Sequence, residues 1–359
     1  MVKAKRKNVN ILILQFLAVL LVVLAIIVGM GFSMTGQSDQ ATQEFFKMAH
    51  NIFLNLVRAL IVVLGAFFTI RYAIQKKGTV SRFRLISLAS FTTMAFIFLV
   101  VIPLTTHFWD IYLSIMPFPW TTLPLKLIAT ISYFDPSFQD AYALQGYTIL
   151  LFSFFAYQFF VFTGTIFLGR RWHCSMICLY NGCHAESMGV ALPLIPQNKK
   201  RPDSKQIKPS LKKVLLRMQA FMFSLNMLLM CFWSLLIIWG IVIIPTILLI
   251  VVELSKYLFL ELLLLMALWI FVGGRGYCYY CPAGFLLGVI GKIVGQRIET
   301  NLTYCTNCNA CNDACDMSID IRDAVKRDKP VKTVNCTGCG HCVDSCPTQN
   351  LKYATHLMG

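Results

Sequence analysis

Charge is scarce in this chain. Only 13% of its 359 residues are charged and 57% are hydrophobic, whereas about a quarter of residues are charged in an ordinary soluble domain. That shortage excludes a soluble domain of the common kind. Evenly scattered cysteine is missing too. Eight of the 14 cysteines fall between Cys305 and Cys346, and the other six between Cys174 and Cys281. Clusters with C-x-x-C spacing are unlike the framework of a secreted disulfide protein and point to metal or redox chemistry in a reducing compartment. The first apolar run follows "MVKAKRKN". It is too long for a signal peptide, and no convincing small-x-small cleavage site follows it, so an uncleaved anchor is expected. The basic excess is missing from one end. Net charge is +16, yet residues 301–359 hold six Lys/Arg and six Asp/Glu. The excess therefore lies in residues 1–300, between hydrophobic runs, which disfavours nucleic acid as a partner and favours membrane topology.

Six segments are long enough to span a bilayer, which takes about 20 apolar residues. They lie near 10–33, 51–73, 85–105, 146–168, 214–239 and 250–273. With the N-terminus inside, the inner segments 1–9, 71–84, 169–217 and 274–300 hold 4, 5, 10 and 3 Lys/Arg. The outer segments hold only Lys47, Lys126 and Lys256. The positive-inside rule then puts both termini in the cytoplasm and the chain in the inner (cytoplasmic) membrane. The outer loop 106–145, with "HFWDIYLSIMPFPW", suits the headgroup region or the wall of a quinone pocket.

Residues 305–315 read "CTNCNACNDAC" and 336–346 read "CTGCGHCVDSC", both C-x2-C-x2-C-x3-C. In such a run three thiolates take one cluster and the fourth takes the other. Cys305, Cys308, Cys311 and Cys346 are expected to hold one [4Fe–4S] cluster, and Cys336, Cys339, Cys342 and Cys315 the second. Zinc knuckles and disulfides fit two complete copies of the pattern less well. Pro347 follows Cys346 but Asp316 follows Cys315, so the first site is expected to be the more open. "DIRDAVKRDKP" predicts a short exposed helix between the motifs. His341 is expected to tune hydrogen bonds, not to ligate. The domain reading is a membrane part over 1–300 and a small α+β ferredoxin-like cytoplasmic part over 301–359. The fold class is an α-helical membrane protein with about six spans.

Residues 169–178 read "GRRWHCSMIC" and 274–281 read "GRGYCYYC". Each follows a span that runs inward, and each has Gly-Arg, an aromatic residue and a cysteine pair. Arg170 and Arg275 thus mark a degenerate two-fold repeat, and repeats in membrane proteins often share a site where the halves meet. Together with the ferredoxin motifs, these features over about 146–350 resemble the NapH/NosR/CcoG-type membrane polyferredoxins. The resemblance implies electron transfer between a membrane or outward donor and a cytoplasmic acceptor, or the reverse. The sequence departs from that family's C-x3-C-P motif. Leu179 replaces the proline of the first copy, Cys183 is extra, and the second copy is C-x2-C-P. The outer loops are too short for the flavin-attachment domain of NosR-like proteins, and no CcoG-like extra domain is expected after residue 350.

Three readings compete for Cys174, Cys178, Cys183, Cys278 and Cys281. They form an additional iron–sulfur or metal site at the membrane face, they are redox dithiols, or they are structural thiols. Cys231, within a span, reads as packing. Arg58 lies inside a span, where a charge is costly, and either serves a site or snorkels outward. His50 and His107 share the outer side, where they suit haem ligation or quinol deprotonation. His173, His184 and Glu186 read as solvated loop residues, alternative ligands or a proton path. The function expected is electron transfer between a membrane-level donor, quinol or a partner subunit, and a cytoplasmic or membrane-bound redox partner. The protein would then be the electron-transfer subunit of an oxidoreductase complex. The rivals are a maturation factor that reduces a metal ion or a protein disulfide, and a redox sensor that anchors a cytoplasmic partner.

Overall fold

A computed structural model describes residues 141–170, 172–178, 206–239, 275–300 and 304–357, scattered positions between 39 and 120, and residues 264 and 268. The first expected span, all of the second but Phe67, part of the third and most of the last, and Cys183, His50, His107, Arg58, His184 and Glu186 lie outside the described residues.

Helix α1 runs Ala141–Leu168 and is uncharged throughout. It stops at Gly169, whose positive φ of 72° few other residues adopt. The chain then makes a π-helical turn, Trp172–Ile177, that buries His173, Cys174 and Ser175. Helix α2, Pro209–Trp239, starts with proline, whose missing N–H costs nothing in a first turn. A tight turn, Gly276–Tyr279, leads into α3, Pro282–Ile293, which is capped by the Cys281 sulfur accepting from Gly284 N–H.

Among the described residues, Pro209–Leu235 is the one helical stretch long and apolar enough to cross a membrane. Phe152, Phe155, Phe159 and Ile166 lie exposed along α1, as do Phe221, Leu228 and Leu235 along α2. Water would oppose so much contiguous apolar surface, whereas lipid would not. Cys231, read as packing, is exposed on α2.

Helix α3 packs against both α1 and α2. Its glycines permit this closeness. A Cβ at Gly288 would run into the Val334 carbonyl, and one at Gly284 would lie 2.5 Å from Arg170 Nη2.

The C-terminal module begins with β1, Arg297–Glu299, continues through short helices α4 (Ala310–Asp313), α5 (Ile321–Lys326) and α6 (His341–Asp344), and ends with β2, Lys352–Ala354. The strands pair antiparallel, with Ile298 opposite Tyr353. Residue 300 is thus no boundary for the sheet, because one of its strands lies just before it. Ile298, Met317, Ile321, Val325, Val331 and Leu351 form the module's core. Helix α5 is not simply exposed: Ile321 and Val325 anchor it.

Residues 117–120, the end of the aromatic stretch expected at the outer headgroups, are placed elsewhere. The Phe118 N–H donates to Gln158 Oε1 at 2.8 Å. Trp120 is buried, its ring centroid 5.0 Å from that of Tyr277 and 6.1 Å from that of Tyr280. A hydrocarbon core is about 30 Å thick. Trp120 and the "GRGYCYYC" turn therefore cannot sit on opposite membrane faces. Residues 117–120 fold back onto the cysteine pair because three large rings bury one another there.

Candidate metal centres

The two eleven-residue motifs fold alike. Each wraps through two left-handed residues, Asn307 and Asn309 in the first, Gly338 and Gly340 in the second. Each then enters a one-turn helix, α4 or α6. Glycine and asparagine are the residues that take this backbone most cheaply. Through the turns, three cysteines of each motif bend around one cavity while the fourth reaches the other. Cys305, Cys308, Cys311 and Cys346 line one cavity. Cys315, Cys336, Cys339 and Cys342 line the second.

The donor sets fit an iron–sulfur cluster. Each cavity presents four cysteine sulfurs, the soft donors that iron–sulfur clusters select. Backbone N–H groups point at the sulfurs in equivalent places. Ile319 N–H donates to Cys315 Sγ and Asn350 N–H to Cys346 Sγ, both at 3.4 Å. Such donors stabilise negative charge on sulfur. Burial and neighbouring sulfurs push Cys315 up to about 12. The same causes hold Cys342 well above the usual thiol range. Thiols gathered and buried like this need a cationic load to ionise together.

The first cavity is the more open, with Cys308 exposed, while Cys315 and Cys342 of the second are buried. The cause differs from the missing proline. Asp316 faces the second cavity's surroundings, where its Oδ2 lies 3.0 Å from His341 Nδ1 and 3.4 Å from Arg275 Nε.

The two Gly-Arg turns meet. Arg170 is 1% exposed. Its Nε donates to Cys174 Sγ at 3.3 Å and its Nη1 to the Val334 carbonyl at 2.7 Å. Burial opposes the Arg170 charge, but Cys174, Cys278 and Cys281 favour it, and its pKa is raised on balance. Arg275 Nη1 donates to the Cys174 carbonyl at 3.2 Å, so the second repeat's arginine holds the first repeat's cysteine turn. His173 is buried, not a solvated loop residue. Its Nε2 is 3.4 Å from Tyr157 Oη. Burial, helped by Arg170, lowers its pKa to about 3, so it is neutral.

Three residues that sequence reasoning missed join these turns to the second cavity. Gln296 accepts from Arg170 N–H at 2.9 Å and donates to the Cys336 carbonyl at 2.9 Å. Ser175 Oγ donates to the Thr337 carbonyl at 2.9 Å. Tyr279 Oη donates to the Asp316 carbonyl at 2.9 Å. None carries a local sequence signal, since each is an ordinary polar residue with a distant partner.

Two four-cysteine cavities in one small module are the donor sets of an iron–sulfur protein. Residues 304–351 match the family described as "4Fe-4S dicluster domain". Over 69 residues the chain is 38% identical to "Putative electron transport protein YccM" of Escherichia coli (strain K12), covering 19% of this chain and 18% of that protein. Over 92 residues it is 30% identical to "Ferredoxin-type protein NapH" of Haemophilus influenzae, covering 24% of this chain and 32% of that protein. Over these parts of its length the chain is thus similar to curated proteins named for electron transport and as ferredoxin-type. The matches span about a third or less of the length of these curated relatives. No solved structure matches the chain.

Proposed function

We propose that this protein is a membrane-anchored electron carrier with two [4Fe–4S] clusters, one on Cys305, Cys308, Cys311 and Cys346, the other on Cys336, Cys339, Cys342 and Cys315. The observation that carries the reading is the pair of four-cysteine cavities in a module bonded directly to apolar helices. Bound clusters supply one-electron transfer. The chain's residues do the rest. Its loops set the thiols around each cavity, its backbone N–H groups hold charge on sulfur, and its apolar core excludes water. The exposed phenylalanines of α1 and the apolar length of α2 support a membrane setting. With the distribution of basic residues, they support six spans in the inner membrane and cytoplasmic termini.

The donor in this reading is quinol or a partner membrane subunit, and the acceptor is a redox partner in a larger complex. The names "electron transport protein" and "ferredoxin-type protein" borne by the relatives agree with a carrier. A reductant of another protein's disulfide needs an accessible sulfur. Cys174 and Cys278 are buried, and Cys178 and Cys281 half-buried, which disfavours the maturation-factor rival. The test is anaerobic addition of a quinol analogue to membranes that contain the full chain. The visible absorbance should bleach, with part of the change lost in Cys305→Ser and part in Cys336→Ser. Bleaching by dithionite but not by quinol would overturn the quinol donor, and a chain without iron would overturn the carrier.

A further inference from the structure

The two Gly-Arg motifs look equivalent in sequence, but their arginines are neutralised differently. Arg275 has the Asp316 carboxylate at 3.4 Å. Arg170 is as deeply buried, and among the described residues no carboxylate pairs with it. Its Nη2 has no hydrogen-bond partner there. A buried guanidinium without an anion costs several kcal/mol, on the order of a broken buried ion pair. Arg170 Nε donates to Cys174 Sγ at 3.3 Å, and its Nη2 lies against Gly284, whose N–H donates to Cys281 Sγ at 3.4 Å. Cys178 and Cys278 sit on the same two turns, with Cys178 N–H bonding the His173 carbonyl and Cys278 N–H the Arg275 carbonyl.

Neutral thiols would not balance Arg170. Thiolates fixed by metal ligation would, because binding requires deprotonated sulfur. Four soft donors suit iron–sulfur chemistry. We propose that Cys174, Cys178, Cys278 and Cys281 hold a third iron–sulfur cluster, with Arg170 as its buried counter-cation.

The site abuts the second cavity. Arg170 Nη1 bonds Val334, Gln296 bridges Arg170 to Cys336, and Ser175 bonds Thr337. Three centres would then run in line from the membrane face through the Cys336 loop to the exposed Cys308 side. The proposal rests on the iron–sulfur reading of the chain, and the following measurement separates the two.

The full chain is purified anaerobically in detergent and assayed for iron and acid-labile sulfide. About twelve irons per chain are expected, against about eight for the ferredoxin module alone. Cys174→Ser and Cys278→Ser should each remove about four irons and leave the signals lost in Cys336→Ser unchanged. Arg170→Met keeps all four thiols. It should lower the midpoint potential of the signal that Cys278→Ser abolishes, because a lost cation disfavours the added electron. Eight irons in the unaltered chain would overturn the third site, a result that needs no variant to fold. So would an excess that neither serine variant changes. An unshifted potential in Arg170→Met would overturn the counter-cation role. A count well below eight in the unaltered chain would overturn the two-cluster reading, and the third site with it.

Discussion

Asp316 replaces, after the first motif, the proline that follows the second, and the exchange gives the chain a connection. The carboxylate is 11% exposed and faces both Arg275 and His341. It joins the "GRGYCYYC" turn to the loop of the second cavity. Asp316→Asn should cost about 3 kcal/mol, the scale of a buried ion pair that loses one partner. Thermal unfolding of the full chain under anaerobic conditions measures it. Asp316→Asn combined with Arg275→Met should cost clearly less than the sum of the two, because they share one interaction. Neither arginine's partner could be read from sequence. "GRRWHC" and "GRGYCYYC" advertise a repeat, yet Arg170 bonds a carbonyl 164 residues away. Local spacing carries no trace of such a contact. The cysteine motifs were legible for the opposite reason. Their chemistry requires short fixed spacings, and the left-handed positions between the cysteines fall on asparagine and glycine in step.

Among the elements, α5 shows how a short helix is held. Buried Asn312 accepts from the Ile321 and Arg322 N–H groups at 2.8 and 3.0 Å and donates to Asp320 Oδ1 at 2.8 Å. It therefore satisfies first-turn donors that no helical carbonyl can reach. Asn312→Ala should destabilise the module by about 1–2 kcal/mol. Hydrogen exchange at Ile321 and Arg322 should rise by a matching factor, on the order of tenfold. The helices near 146–168 and 214–239 were legible because long apolar runs are coarse signals, and α1 and α2 begin a few residues earlier. The fold-back of residues 117–120 was not legible. Aromatic and proline-rich sequence suits a headgroup and a buried ring cluster equally, and only the contact of Trp120 with Tyr277 and Tyr280 separates them.

At the scale of the molecule, the ferredoxin module is seated on the helices, not tethered beside them. Tyr353 Oη bonds the Leu168 carbonyl at the end of α1, and Lys212 Nζ near the start of α2 bonds the Ser318 carbonyl at 2.7 Å. The end of α1 and the start of α2 thus both lie against the module. A fluorescent protein fused after residue 359 should fluoresce in intact cells, and a periplasmic phosphatase fused there should stay inactive. The reverse pair of results would invert the topology.

Arg275 lies just before α3, but the Asp316 carboxylate that faces it comes later in the chain, after the first cysteine motif. The Arg275–Asp316 contact therefore forms only after α3 and the first cysteine motif have been made. A chain stopped near residue 300 would lack the Asp316 carboxylate, and with it the link from the "GRGYCYYC" turn to the second cavity's loop.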